Sequence, residues 1–169
     1  RSGQVELAQQ DLAQLHRLAA KPALATVRLK NINPAAQLLR IAVLTLQADL
    51  ALARGRAQDA VALLRQATAI EDAFEYDEPH LWLAPTRHAL GAALLAAGQA
   101  AAAEQVYRQD LRHYPENGWS LMGLRDALEA QGKQAEATGV GKRFRRQWAK
   151  ADITPPSTWP SLRRAASPR

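Results

Sequence analysis

Three glycines, Gly55, Gly98 and Gly132, constrain this chain more than any other feature, because each closes one helix-forming stretch and opens another. They lie 43 and 34 residues apart. Five residues after each stands an alanine (Ala60, Ala103, Ala137), and four before each a small or aliphatic residue (Ala51, Leu94, Leu128). Self-similarity at this period is what stacked helical hairpins require, since each hairpin has too little core alone and buries its second face on the next. Composition agrees: 36 of the 169 residues are alanine and 24 are leucine, both strong helix formers, while β-branched and aromatic residues are scarce. That argues against a strand-rich enzyme. With no cysteine, a disulfide scaffold and a Cys-based zinc site are excluded. No apolar run approaches the roughly 20 residues that span a bilayer. The chain opens at Arg1 without a charged-then-apolar leader and reads as a domain cut from a longer chain or a processed product.

Helical spacing of Val5, Ala8, Leu12, Leu15, Leu18 and Ala19 predicts a first helix over 4–20, stopped by Pro22. A short apolar stretch, 24–29, leads to Asn33, expected as an N-cap, and Pro34, expected as the first helical residue. Residues 35–53 are apolar on most sides, as in a helix sandwiched between neighbours, and 57–73 form the return partner with Ala60, Val61, Leu63, Leu64 and Ala67. Further helices are predicted over 85–97 and 99–113, then 119–130 and 134–151. The chain thus divides into N-terminal helices closing a preceding repeat (1–33), a hairpin (34–74), an acidic inserted connection (75–83), two more hairpins (84–117 and 118–151), and a Pro/Ser/Arg-rich extended tail (152–169) with Trp159 docking back on the array.

Residues 84–117 resemble a tetratricopeptide repeat (TPR). Leu90-Gly91, Leu94, Gly98, Ala103, Tyr107 and Pro115 stand at that family's signature positions, with departures at Arg87 (Trp or Leu in the family) and Asp110 (Ala in the family). Residues 118–151 match at Leu121, Leu124, Leu128, Gly132 and Ala137, with Gly141 replacing an aromatic; 41–74 match at Leu44, Ala51, Gly55, Ala60, Leu64 and Ala67. The Tyr76-Asp77-Glu78-Pro79 and Asn117-Gly118-Trp119 segments are similar to those near the C-terminal end of longer bacterial TPR proteins. The resemblance implies an all-α, right-handed α-solenoid of TPR-like hairpins closed by a basic capping helix.

Charge is uneven. Residues 71–78 carry five acidic side chains and no basic one, while 142–169 carry eight basic side chains and only Asp152. In the last helix Val140, Phe144 and Trp148 recur every four residues as an apolar face, with Lys142, Arg143, Arg145, Arg146 and Lys150 around it. A capping helix with a polar outer face explains this pattern. A nucleic-acid or anionic-membrane contact is disfavoured, because the aromatics sit on the buried side rather than among the arginines.

Candidate chemistry is sparse. The acidic stretch Glu71, Asp72, Glu75, Asp77, Glu78 lacks the spacing and mid-loop glycine of a calcium loop, and Pro79 instead breaks the helix there. His80 and His88 are eight apart rather than the four of a helical zinc pair. No serine lies in a GxSxG setting, and Gly139-Val140-Gly141-Lys142 lacks the strand of a phosphate loop. No catalytic residue, metal or cofactor is assigned. The resemblance implies a concave surface of helix-A positions: Ala42, Thr45, Asp49 and Leu52; Pro85, His88, Ala92 and Leu95; Trp119, Met122, Asp126 and Glu129. The family's Lys/Arg/Asn carboxylate clamp is missing there. Trp119 and Met122 serve either as anchors or as packing between hairpins, and Asp49, Asp126 and Glu129 suit a basic partner. The expected function is a non-catalytic scaffold presenting this groove to a protein or peptide. The alternatives are a capping or homo-oligomerising segment of a larger array, and nucleic-acid binding through the basic end.

Overall fold

The computed structural model describes residues 2–76, 78, 80–82 and 84–152, with side chains from residue 4 onward; the tail 153–169 with Trp159, and Asp77 and Pro79, lie outside the described residues. In chain order come α1 (Ser2–Ala19), a 3-10 turn (Pro22–Ala25), a two-stranded ribbon of β1 (Arg28–Leu29) and β2 (Asn33–Pro34), α2 (Ala35–Ala53), α3 (Ala57–Asp72), α4 (Thr86–Ala96), α5 (Ala100–His113), α6 (Gly118–Ala130) and α7 (Gln134–Gln147). The chain forms two compact units, Arg1–Thr86 and Arg87–Arg169.

One turn geometry closes all three hairpins. Gly55, Gly98 and Gly132 have φ of +73°, +74° and +73°, the left-handed region that L side chains enter at a cost. The amide after each glycine donates to the carbonyl five residues back: Arg56 to Ala51 (2.9 Å), Gln99 to Leu94 (2.8 Å), Lys133 to Leu128 (3.0 Å). This six-to-one bond satisfies a carbonyl that the helix end leaves open. Ala60, Ala103 and Ala137, which start the next helix's buried face, are all within 1% of full burial.

In the first unit α2 lies between α1 and α3. By length and composition alone α2 could cross a membrane, yet Ile41, Leu44, Ala48 and Ala51 are buried in this unit's core. Ile41, Leu44 and Ala67 form one core cluster, against which Leu63, Ile70, Phe74 and Trp82 pack. The segment between α3 and α4 therefore supplies two aromatics to the core. Its path is held from the N-terminal side. The Asn33 amide donates from Nδ2 to the Glu75 carbonyl and accepts at Oδ1 from the Glu75 amide, both at 2.9 Å. Lys30 Nζ donates to the Glu78 carbonyl at 2.6 Å.

Two expectations are corrected here. Asn33 is not the cap of α2: Pro34 occupies the N-cap, and Asn33 sits in β2 paired with Leu29. Its amide serves the inserted connection instead, a use that sequence spacing does not disclose. Pro34 is accordingly not the first helical residue, and the stretch before it forms the 3-10 turn and the ribbon, whose tip carries Lys30 and Asn31 at φ of +49° and +63°.

In the second unit Tyr107 of α5 is completely buried. A Cβ built on Gly91 of α4 would lie 2.3 Å from Tyr107 Cζ, and one on Gly123 of α6 2.2 Å from it. Both glycines are thus set by space, because the aromatic ring lies directly on two helix backbones. Pro115 is exposed in the α5–α6 connection, ahead of Glu116 at φ +61°.

Candidate functional site

The helix-A face of α6 is built from its N-terminus. Asn117 caps the helix, its Oδ1 accepting from the Ser120 amide at 3.2 Å. Gly118 lies under Trp148, where a Cβ would approach the indole to 2.3 Å. Ser120 donates its hydroxyl to Asp110 Oδ2 at 2.5 Å. Trp119 is fixed between these two anchored neighbours. Its ring meets Trp148 edge to face, centroids 5.6 Å apart, and Trp148 stacks on Phe144 at 5.4 Å. Such aromatic pairs add to the burial of their area.

Down the same stripe, Trp119 is half-buried and Met122 is buried, while Asp126 is half-buried and Glu129 exposed. Arg125 serves both carboxylates: its Nη2 donates to Asp126 Oδ1 at 2.6 Å, and its Nε stands 3.7 Å from Glu129 Oε1. Arg125 thus stands within reach of both carboxylates at this end of α6. His88, by contrast, is turned inward. Its Nε2 lies 3.1 Å from Asp110 Oδ2, with both side chains buried. On α2, Thr45 is buried with its hydroxyl lacking a hydrogen-bond partner among the described residues, and Asp49, one turn on, is half-buried and already engaged.

Asp110 is the residue that sequence reasoning marks only as a departure from the repeat pattern. It is fully buried and joins His88 of α4, Ser120 of α6 and its own α5 through one carboxylate oxygen; the other, Oδ1, has no hydrogen-bond partner among the described residues. The three side chains belong to a nucleophile, a base and an acid, but their order is wrong for catalysis. The carboxylate stands between imidazole and hydroxyl, whereas activation of serine needs the imidazole in the middle. The cluster ties three helices together.

Charged pairs on the other flank are structural as well. Glu104 Oε2 accepts from Lys133 Nζ at 2.7 Å and Gln131 Nε2 at 2.8 Å, while Oε1 accepts from Arg108 Nε at 2.8 Å. The Lys133 bond, opposed by desolvation and aided by Arg108 and Gln131, lowers the Glu104 carboxyl to about 2. Arg108 also reaches Glu136 at 2.9 Å, and its guanidinium is held more basic chiefly by Glu104. Glu116 binds Arg143 and lies 3.4 Å from Arg146, which holds its carboxyl below the ordinary range, Arg143 contributing most. In the acidic connection, Glu71 Oε2 accepts from the Thr86 amide at 2.8 Å and so caps α4. Among the described residues no group of three His, Asp or Glu converges as metal ligands would.

These features define a helical-repeat protein of the TPR-like class. A crystal structure of nearly identical TPR-like repeats of a kinesin light chain candidate from Podosopora anserina is similar to it, with a TM-score of 0.60 and 25% identity, over 90% of this chain and 71% of that chain. A point variant of the same repeats gives the same values. No protein-family model matches the chain, and no curated protein matches it in sequence. Folds of this class generally mediate protein–protein interaction and are typically non-catalytic.

Proposed function

We propose that the chain is a non-catalytic protein-interaction module whose α6 stripe receives a peptide segment bearing basic side chains. The carrying observation is the order of exposure along that stripe. A half-exposed Trp119 held by Trp148 and Ser120 is followed by two carboxylates that share one arginine. A rigid aromatic on the same helix face as two carboxylates supplies an anchor and a charge preference. Met122 and His88, being buried, support the stripe rather than touch a ligand.

The test is fluorescence anisotropy against a panel of basic, neutral and acidic peptides. Basic peptides should bind best, and both Trp119→Ala and the double change Asp126→Lys with Glu129→Lys should weaken them by about tenfold or more, roughly 1.4 kcal/mol. Equal binding of all three peptide classes by the parent chain and both variants would sink the reading.

A second reading, α7 as the cap of the array, draws on the packing of Trp148 over Gly118 and on the Glu116 pairs. Nucleic-acid binding has less support: Glu116 engages Arg143 and Arg146, and Phe144 is buried.

A further inference from the structure

We propose that the outer flank of α1 is a self-complementary surface through which two copies of this chain pair antiparallel. In its own unit α1 packs chiefly on α2, through the half-buried Val5, Ala8, Leu12 and Leu15, and none of its described side chains is fully buried. A second row lies to one side of that face. Leu7 and Leu18, 58% and 39% exposed, sit at its ends, with Asp11 and Gln14 between them. An open groove of about 700 Å³ runs along its C-terminal half, lined by Asp11, Gln14, Leu15, Arg17, Leu18 and Lys21.

The charges fix what can cover it. α1 carries Glu6 near its start and Asp11 at its middle, and its end carries Arg17 with Lys21 just beyond. No ion pair joins these four to another described residue. A second α1 laid parallel would set Asp11 against Asp11 and Arg17 against Arg17, which is repulsive. Laid antiparallel about a two-fold axis between residues 12 and 13, Leu7 of each copy meets Leu18 of the other. Asp11 then falls opposite Gln14 and one helical turn from Arg17 of the second copy, and the two-fold makes each contact twice. The row is about 17 Å long at 1.5 Å per residue. A row this short covers less than the roughly 1,200 Å² of a standard interface, so the pair is expected to be weak and reversible.

Sedimentation of the full chain from micromolar to sub-millimolar concentration tests this. The chain should form a reversible dimer. Leu18→Glu should weaken it by at least about tenfold. Asp11→Arg alone and Arg17→Asp alone should each be monomeric, yet an equimolar mixture of the two should dimerise, because each contact again joins opposite charges. All these positions face solvent, so each variant should remain folded, which circular dichroism checks. A chain monomeric throughout, a dimer indifferent to Leu18→Glu, or a mixture as monomeric as its components overturns the proposal. Peptide binding at α6 is measured separately and is independent of each result.

Discussion

The ring of Tyr107 fills the space that a side chain at Gly123 would need, a built Cβ lying 2.2 Å from Tyr107 Cζ. Gly91 stands in the same relation from α4. Gly123→Ala and Gly91→Ala should therefore each destabilise the chain by about 1–3 kcal/mol through overpacking. Gly139 in α7 has nothing within 4 Å of a built Cβ. Gly139→Ala should add about 0.5–1 kcal/mol by helix propensity. Urea unfolding of the three variants side by side separates the cases, and a neutral Gly123→Ala would show that the ring can move aside.

At the hairpin turns the reasoning reverses. Gly98 has open space around it but a φ of +74°. Gly98→Val should cost about 1–2 kcal/mol through backbone strain. Gly98→Asn should cost clearly less, because asparagine tolerates the left-handed region. Equal losses for both would point to something other than φ.

The Asp110 cluster predicts non-additive energetics. Asp110→Ala should cost about 3 kcal/mol, because it strands the buried His88 imidazole and Ser120 hydroxyl. Ser120→Ala should cost about 1 kcal/mol. The double variant should lose less than the sum, since both changes remove the same bond. Denaturant midpoints for the complete cycle provide the measurement, and strict additivity would contradict the shared bond.

Acid should act through Glu104. Its folded pKa, about 2, lies below the ordinary carboxylate value of 4.5, so the stabilisation is complete above about pH 5 and is lost as pH falls toward 2. After allowance for solvent screening of the pairs with Arg108 and Lys133, the contribution is about 1–2 kcal/mol. Glu104→Gln should lower the melting temperature at pH 7 and flatten its decline between about pH 5 and pH 2. Parallel curves for the two proteins would rule this role out.

The hairpin order is legible in the sequence because a left-handed turn demands glycine and close helix contact demands alanine, and both requirements are local. Gly55, Gly98 and Gly132 carry that signal by themselves. Asp110 shows what local reading leaves out. It registers only as a misfit to the repeat pattern, because its partners His88 and Ser120 lie 22 and 10 residues away on other helices. Gly123 is equally silent, since the ring that requires it belongs to the preceding hairpin. At the α6 stripe, spacing groups Trp119, Met122, Asp126 and Glu129. Only the packing separates the half-exposed tryptophan from the buried methionine, and only the side-chain geometry reveals Arg125 between the carboxylates.

Asn33 grips Glu75 entirely through main-chain atoms, across 42 residues of sequence. Any residue with a backbone amide can stand at position 75 and be held in the same way. Besides its own Phe74 and Trp82, the connection is therefore routed from far outside itself, by the buried Asn33 amide in β2 and by Lys30. The side chains it displays, such as the 73% exposed Tyr76, are then free to diverge. Mutation can rewrite what this loop shows to its surroundings while leaving its course over the molecule intact.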